Sequence, residues 1–187
     1  MTPEKEAIAA FLNYYLSLGT IIGLLIAIVW IVLLMAHTSS KKENFVLSHI
    51  SKYALQIGFT VSLFGTLLSL YYSDYLGILP CGLCWFQRVF LYSQLFLFGL
   101  AWYKNDRKIF DYTLVLSIAG LIVAAYHSYL QMGYSELLPC PAIASTIDCA
   151  KPTFVEFGFV TFPFMSVVTF VFLALLSVTV TKFTKNK

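Results

Sequence analysis

The sequence predicts an all-α integral membrane protein: a four-helix transmembrane bundle plus one extra N-terminal transmembrane helix. Three observations carry that reading. Of the 187 residues, 59% are hydrophobic and only 11% are charged, whereas soluble domains have about 25% charged residues. The polar surface is too small to cover a soluble globule. The apolar residues gather into five long runs, and most basic residues sit between alternate runs.

The first run, Asn13–Ala36, lies within a stretch from Glu6 to Lys41 that has no Asp, Glu, Lys or Arg inside it. Tyr53–Ser73, Trp85–Tyr103, Tyr112–Gln131 and Phe157–Thr181 follow. Each has roughly the 20 residues a helix needs to cross a hydrocarbon core about 30 Å thick. Only the third holds a charge, Arg88, near its start. A secretory signal is the alternative for the first run. That run exceeds a signal core of about 7–15 residues, only Lys5 is basic ahead of it, and Ala36-His37-Thr38 is a poor cleavage site. A retained helix is expected. Residues 1–52 then form a tail, the extra helix and a cytoplasmic loop, and residues 53–187 form the bundle.

Charge position sets the expected orientation. Lys41, Lys42 and Lys52 lie between the first two runs, Lys104, Arg107 and Lys108 between the third and fourth, and Lys182, Lys185 and Lys187 in the tail. Basic residues near membrane ends mark the cytoplasmic side. Lys5, Arg88 and Lys151 are left towards the other side, so the amino terminus is expected outside and the carboxyl terminus inside. No basic stripe remains for nucleic acid.

Two loops then face outwards. Asp74–Cys84 carries Pro80-Cys81-Gly82-Leu83-Cys84, and Gly133–Glu156 carries Cys140 and Cys149. Pro139, Pro141 and Pro152 exclude one continuous helix from the second loop, though a short surface helix fits between Pro141 and Pro152. Asp74, Glu136, Asp148 and Glu156 read as solvated loop charges. Tyr71, Tyr72, Tyr75, Trp85 and Phe86 read chiefly as an interfacial aromatic belt.

All four cysteines fall in these two loops, on the side where disulfides form and persist. Four cysteines allow three pairings, and the loops suggest Cys81–Cys84 and Cys140–Cys149. A C-x-x-C at a helix start lets two sulfurs close and open a small ring, while the helix amino terminus favours a thiolate. Arg88, four residues after Cys84 and so on the same helix face, is expected to hold Cys84 as thiolate and to attract an anionic ring oxygen. Two purely structural disulfides, with Arg88 snorkelling to headgroups, is the plainer alternative. Structural zinc on four cysteines fits these spacings poorly, and no metal is expected there.

At Cys81-Gly82-Leu83-Cys84-Trp85-Phe86-Gln87-Arg88 the sequence resembles the disulfide bond formation protein B (DsbB) family and its Gram-positive relatives. The second cysteine pair and Phe157-Gly158-Phe159-Val160-Thr161-Phe162-Pro163 reinforce the likeness over residues 53–182. The first helix lies outside it, and Cys140 and Cys149 stand closer together than in the best-known member of the family.

The resemblance implies a bacterial cytoplasmic (inner) membrane protein that reoxidises an extracytoplasmic thioredoxin-fold dithiol partner. It further implies a quinone, ubiquinone or menaquinone, bound near the outer surface. Cys84 would adjoin the quinone, Arg88 would assist it, and His127, at the outer end of the fourth helix, would lie beside it. Cys81 would be the exchange partner of Cys84. Cys140 would take the attack of the partner thiolate, and Cys149 would exchange with the Cys81–Cys84 pair. A lone histidine at a helix end is otherwise an ordinary interfacial residue. Two rival readings remain. Reductases similar to vitamin K epoxide reductase place the C-x-x-C after the loop pair rather than before it. A membrane scaffold with structural disulfides would require neither Arg88 nor a reactive Cys84.

Overall fold

The computed structural model describes residues 2–40, 45–135 and 148–185. Among these, six α-helices form in chain order: α1 (Pro3–Ser40), α2 (Phe45–Lys52), α3 (Ala54–Leu70), α4 (Gly82–Lys104), α5 (Ile109–Gln131) and α6 (Phe162–Lys185). Five of them, α2 being the exception, are long and apolar enough to cross a membrane. The chain is a multi-pass membrane protein with an all-α fold.

Helix α1 outruns its apolar core at both ends. Pro3 opens it, Glu4 and Glu6 stand in its first turn, and both features suit a helix start. At 1.5 Å per residue its 38 residues extend about 57 Å, well beyond a hydrocarbon core of about 30 Å. Helix α2 was not expected. Leu47, Ile50, Ser51 and Ala54 repeat at helical spacing, and Leu47, Ser51 and Ala54 are buried. The segment folds under the bundle, against α6.

Helix α3 runs on into a wider π-helical turn, Tyr71–Tyr75, so the loop to Cys81 starts later than the sequence suggests. Asn105 ends α4 in the left-handed region (φ 52°), which asparagine tolerates. The Asp106 N–H then donates to the Ala101 carbonyl at 2.9 Å, as in a Schellman cap. Helix α6 begins at Phe162, five residues later than its apolar run. Phe157 (φ 52°) and Gly158 (φ 82°) turn the chain so that Glu156 and Val160 pair through reciprocal N–H to carbonyl bonds of 3.0 and 2.9 Å.

Helices α3, α4, α5 and α6 pack in sequence as antiparallel neighbours, and α1 and α2 lie against α6. Polar pairs mark the seams. The Ser117 hydroxyl on α5 donates to Gln94 Oε1 on α4 at 3.0 Å, and Thr113 on α5 meets Ser177 on α6 at 3.1 Å. Trp30 on α1 donates its indole N–H to Thr179 on α6 at 3.0 Å. The Tyr72 hydroxyl donates to Asn13 Oδ1 at 2.7 Å, and the Lys5 ammonium donates to the Tyr75 carbonyl. The amino-terminal half of α1 therefore holds the π-turn at the end of the bundle that carries the cysteines. Tyr72 is a core residue and leaves the expected belt, whereas Tyr71, Tyr75, Trp85 and Phe86 are exposed.

Small residues set the closest helix approaches, as is common between membrane helices. A Cβ on Gly120 would fall 2.5 Å from the buried Phe170 ring. Gly19 has nothing within 4 Å of such an atom. Gly120→Ala is expected to destabilise the bundle by about 1–3 kcal/mol through overpacking, while Gly19→Ala leaves stability unchanged or slightly raised. Denaturant titration of both variants in micelles checks the contrast.

Candidate functional site

The loop after the π-turn brings Pro80 and Cys81 to the start of α4. Cys81 is its N-cap residue, with extended backbone (φ −73°, ψ 173°), and Pro80 disfavours helix in the residues before it. Cys84 follows one turn inside the helix. The two sulfurs are free thiols 3.3 Å apart, Cys81 buried and Cys84 half-buried.

His127 reaches this pair from α5. It is 1% exposed, a core side chain rather than an interfacial one. The Gln87 side-chain N–H donates to His127 Nδ1 at 3.0 Å, which leaves the ring proton on Nε2. Nε2 then faces the Cys149 carbonyl at 3.1 Å and the Cys81 sulfur at 3.6 Å. One imidazole thus joins α4, α5, the C-x-x-C and the second cysteine loop. Gln131, one turn after His127, brings its side-chain nitrogen to 3.5 Å from the same Cys149 carbonyl.

Cys149 is buried and disulfide-bonded, and it shares an apolar cluster with Cys81, Leu83 and Leu130. Cys140 lies outside the described residues, as does most of the short surface helix expected between Pro141 and Pro152. At Asp148–Lys151 the chain is a turn, with the Ala150 N–H donating to Asp148 Oδ1 at 2.9 Å.

Arg88 points away from His127. Its guanidinium donates to the Ser69 carbonyl on α3 at 2.9 Å and stands 5.3 Å from the centroid of the Trp85 ring. The C-x-x-C therefore has two sides. Cys81 meets α5 and the second loop; Cys84 shares its helix face with Arg88, near the exposed Trp85 and Phe86.

Hydrogen bonding within the pair favours a thiolate on Cys81, where sequence reasoning had favoured Cys84. The hydrogen bond shared by the two sulfurs holds the Cys81 pKa well below the ordinary cysteine value, against the opposing effect of burial and with His127 assisting. From the sequence Gln87 reads only as part of the Cys81–Arg88 motif and Gln131 as structural. Their signal was present: both are amides within or at the end of apolar runs, and Gln131 lies four residues from His127.

The chain is similar to known proteins. A family model described as "Disulfide bond formation protein DsbB" matches residues 51–180. The chain belongs to the DsbB family. It is 40% identical over 112 residues to the SPbeta prophage-derived disulfide bond formation protein B of Bacillus subtilis, covering 60% of this chain and 74% of that protein. It is 32% identical over 120 residues to disulfide bond formation protein C of the same organism, covering 63% and 84%. A probable disulfide formation protein of Chlamydia trachomatis is 35% identical over 136 residues, covering 73% and 98%. No solved structure matches the chain significantly. As a DsbB-family member, the chain is a membrane disulfide-forming protein with an oxidoreductase role.

The arrangement sets an expected titration. In the native dithiol, the first thiolate, followed by ultraviolet absorbance, should appear well below the ordinary cysteine value of about 8.5. Cys84→Ala removes the main hydrogen-bond partner of Cys81 and should move the midpoint back towards that value. A midpoint in the ordinary range for the native protein would contradict the assignment.

Proposed function

We propose that this chain reoxidises an extracytoplasmic thioredoxin-fold dithiol partner of the DsbA kind and passes the electrons to a membrane quinone, ubiquinone or menaquinone. The observation that carries the reading is the two-sided thiol pair, with Cys81 against the Cys149 loop and Cys84 on the Arg88 face beside exposed aromatic residues. The names of the similar proteins, all disulfide-forming, support it.

In this scheme a partner thiolate attacks Cys140 of a loop disulfide with Cys149, forming a mixed disulfide and releasing Cys149. The Cys149 thiolate then attacks Cys81, which already shares its buried cluster, and Cys84 leaves as the thiol or thiolate. The second partner thiol resolves the mixed disulfide, Cys140 recloses on Cys149, and Cys81 and Cys84 are left as the dithiol seen in the structure. Net, two electrons and two protons move from the partner to the acceptor. A bound quinone supplies that two-electron, two-proton acceptor.

The residues present fit such a group. Arg88 offers a permanent cation beside Cys84, and Trp85 and Phe86 offer an apolar approach from the bilayer. His127, expected beside the quinone, lies next to Cys81, where its Nε2 faces sulfur and the Cys149 carbonyl. Residues 53–187 form the working bundle in this reading, and residues 1–52 are an addition whose helix α1 supports the π-turn. The lysine-rich end lies in the cytoplasm of the bacterial inner membrane, so the cysteines and the amino terminus face outwards.

The test supplies purified protein with a reduced thioredoxin-fold dithiol and a short-chain quinone, and follows quinone absorbance. Native protein should turn over and Cys84→Ser should not. Arg88→Met should raise the quinone KM about 10- to 100-fold, as expected for losing a charged hydrogen bond of about 1.5–3 kcal/mol, with a smaller change in kcat. Turnover retained in Cys84→Ser would remove Cys84 from the electron path. No turnover with several donors and both quinone classes would favour a scaffold with structural disulfides.

A further inference from the structure

The geometry points to a second use of the thiol pair: the reduced Cys81–Cys84 dithiol and His127 form a binding site for a soft divalent cation such as zinc, closed whenever the two cysteines are oxidised. The ligand atoms, Cys81 Sγ, Cys84 Sγ and His127 Nε2, all lie within 4.8 Å of one another. Zinc takes sulfur at about 2.3 Å and imidazole nitrogen at about 2.0–2.1 Å in tetrahedral sites. Those radii require tetrahedral edges of about 3.8 Å between two sulfurs and about 3.5 Å between sulfur and nitrogen. The structure has 3.3 Å between the sulfurs and 3.6 Å from Cys81 Sγ to His127 Nε2. Moving Cys84 Sγ about half an ångström away from Cys81 Sγ and closer to His127 Nε2, from which it lies within 4.8 Å, completes three corners.

The Cys149 carbonyl oxygen, 3.1 Å from His127 Nε2, or a water molecule takes the fourth corner, the position that zinc sites with three protein ligands fill from outside the side-chain set. Ligation through Nε2 needs the ring proton on Nδ1. Gln87 faces Nδ1 at 3.0 Å, and a half-turn of its amide presents oxygen in place of nitrogen, the acceptor that metal-bound histidines ordinarily have. Charge also suits the position. Two thiolates and a dication sum to zero, so the complex places no net charge in a site where Cys81 is 5% and His127 1% exposed.

Binding displaces whatever protons the two thiols hold and moves no electrons. A Cys81–Cys84 disulfide offers no thiolate and so no site, which makes occupancy a report of the redox state. Both sulfurs are capped when the ion is bound, so zinc acts as a reversible brake on the reduced form; this last consequence rests on the proposed function, whereas the binding does not.

Cobalt(II) is the probe, because thiolate ligation gives sulfur-to-metal charge-transfer bands and tetrahedral geometry gives intense visible bands. Full-length protein in micelles, reduced with a phosphine and then freed of it, should bind one equivalent of cobalt with both sets of bands, and zinc should bleach them. The same polypeptide with Cys81 and Cys84 oxidised should show neither, which controls for folding without any substitution. Cys81→Ser and Cys84→Ser should lose the bands, and His127→Ala should weaken binding at least tenfold. Absence of the bands in the reduced protein, or equal bands in the oxidised protein, overturns the site. In the turnover assay one equivalent of zinc should stop quinone reduction and a chelator should restore it; zinc bound without slowing turnover overturns the brake. Cobalt bands in a protein that fails to turn over even without metal would uphold the site while refuting the proposed function.

Discussion

A polar side chain inside a membrane bundle has no water to turn to, and in this chain that constraint places the helices. Polar side-chain pairs join several of the elements: Ser117 with Gln94, Thr113 with Ser177, Trp30 with Thr179, Tyr72 with Asn13. Such bonds contribute about 0.6 kcal/mol each on average in a membrane protein. They are weak attractions, yet they select a register, because a slipped helix would leave buried groups unpaired. His127 is the extreme case. Its two ring nitrogens are taken by Gln87 from α4 and by the Cys149 carbonyl from the loop, so one buried imidazole fixes how the second cysteine loop lies on the C-x-x-C. The redox site is an outgrowth of the same rule that assembles the bundle.

That clamp makes the two thiols unequal. Cys81 shares hydrogen bonds with Cys84 and His127 and is buried with Cys149; Cys84 is half-buried, one helical turn before Arg88. In the proposed exchange with the loop, a thiolate on Cys81 is the better leaving group. The inequality comes from position: the N-cap residue reaches His127 on α5 at 3.6 Å, and the residue three positions on stands inside the helix, one turn before Arg88. Helix α1 supports the arrangement from below the loop. Lys5 holds the Tyr75 carbonyl and Asn13 the Tyr72 hydroxyl, so the segment entering Cys81 is tied at its start.

The membrane class and the five spanning helices were legible because an uninterrupted apolar run of about 20 residues matches the length a bilayer demands of a helix. The C-x-x-C at a helix start was legible because proline and the apolar run bracket it. Local signals failed where geometry is set by a neighbour. Nothing in the π-turn at Tyr71–Tyr75 distinguishes it from the helix before it; it depends on Asn13, which is distant in sequence. The late start of α6 follows from positive φ at Phe157, a conformation no propensity assigns to phenylalanine. His127 looked interfacial because its position at a helix end is visible and its partners are not. The thiolate was expected on Cys84 because Arg88 is the nearest charge along the helix, but a hydrogen bond from the adjacent thiol and an imidazole from another helix outweigh it at Cys81.

The central claim is that His127 and the loop it holds bring Cys149 within exchange reach of Cys81. Its most direct test is a chain carrying Cys84→Ser and Cys140→Ser, which retains only Cys81 and Cys149, oxidised mildly in micelles and mapped by mass spectrometry without reduction. The account predicts a Cys81–Cys149 disulfide within the chain in nearly all molecules, and slower formation when His127 is also replaced by alanine. Free thiols after oxidation, or bonds only between chains, would contradict it.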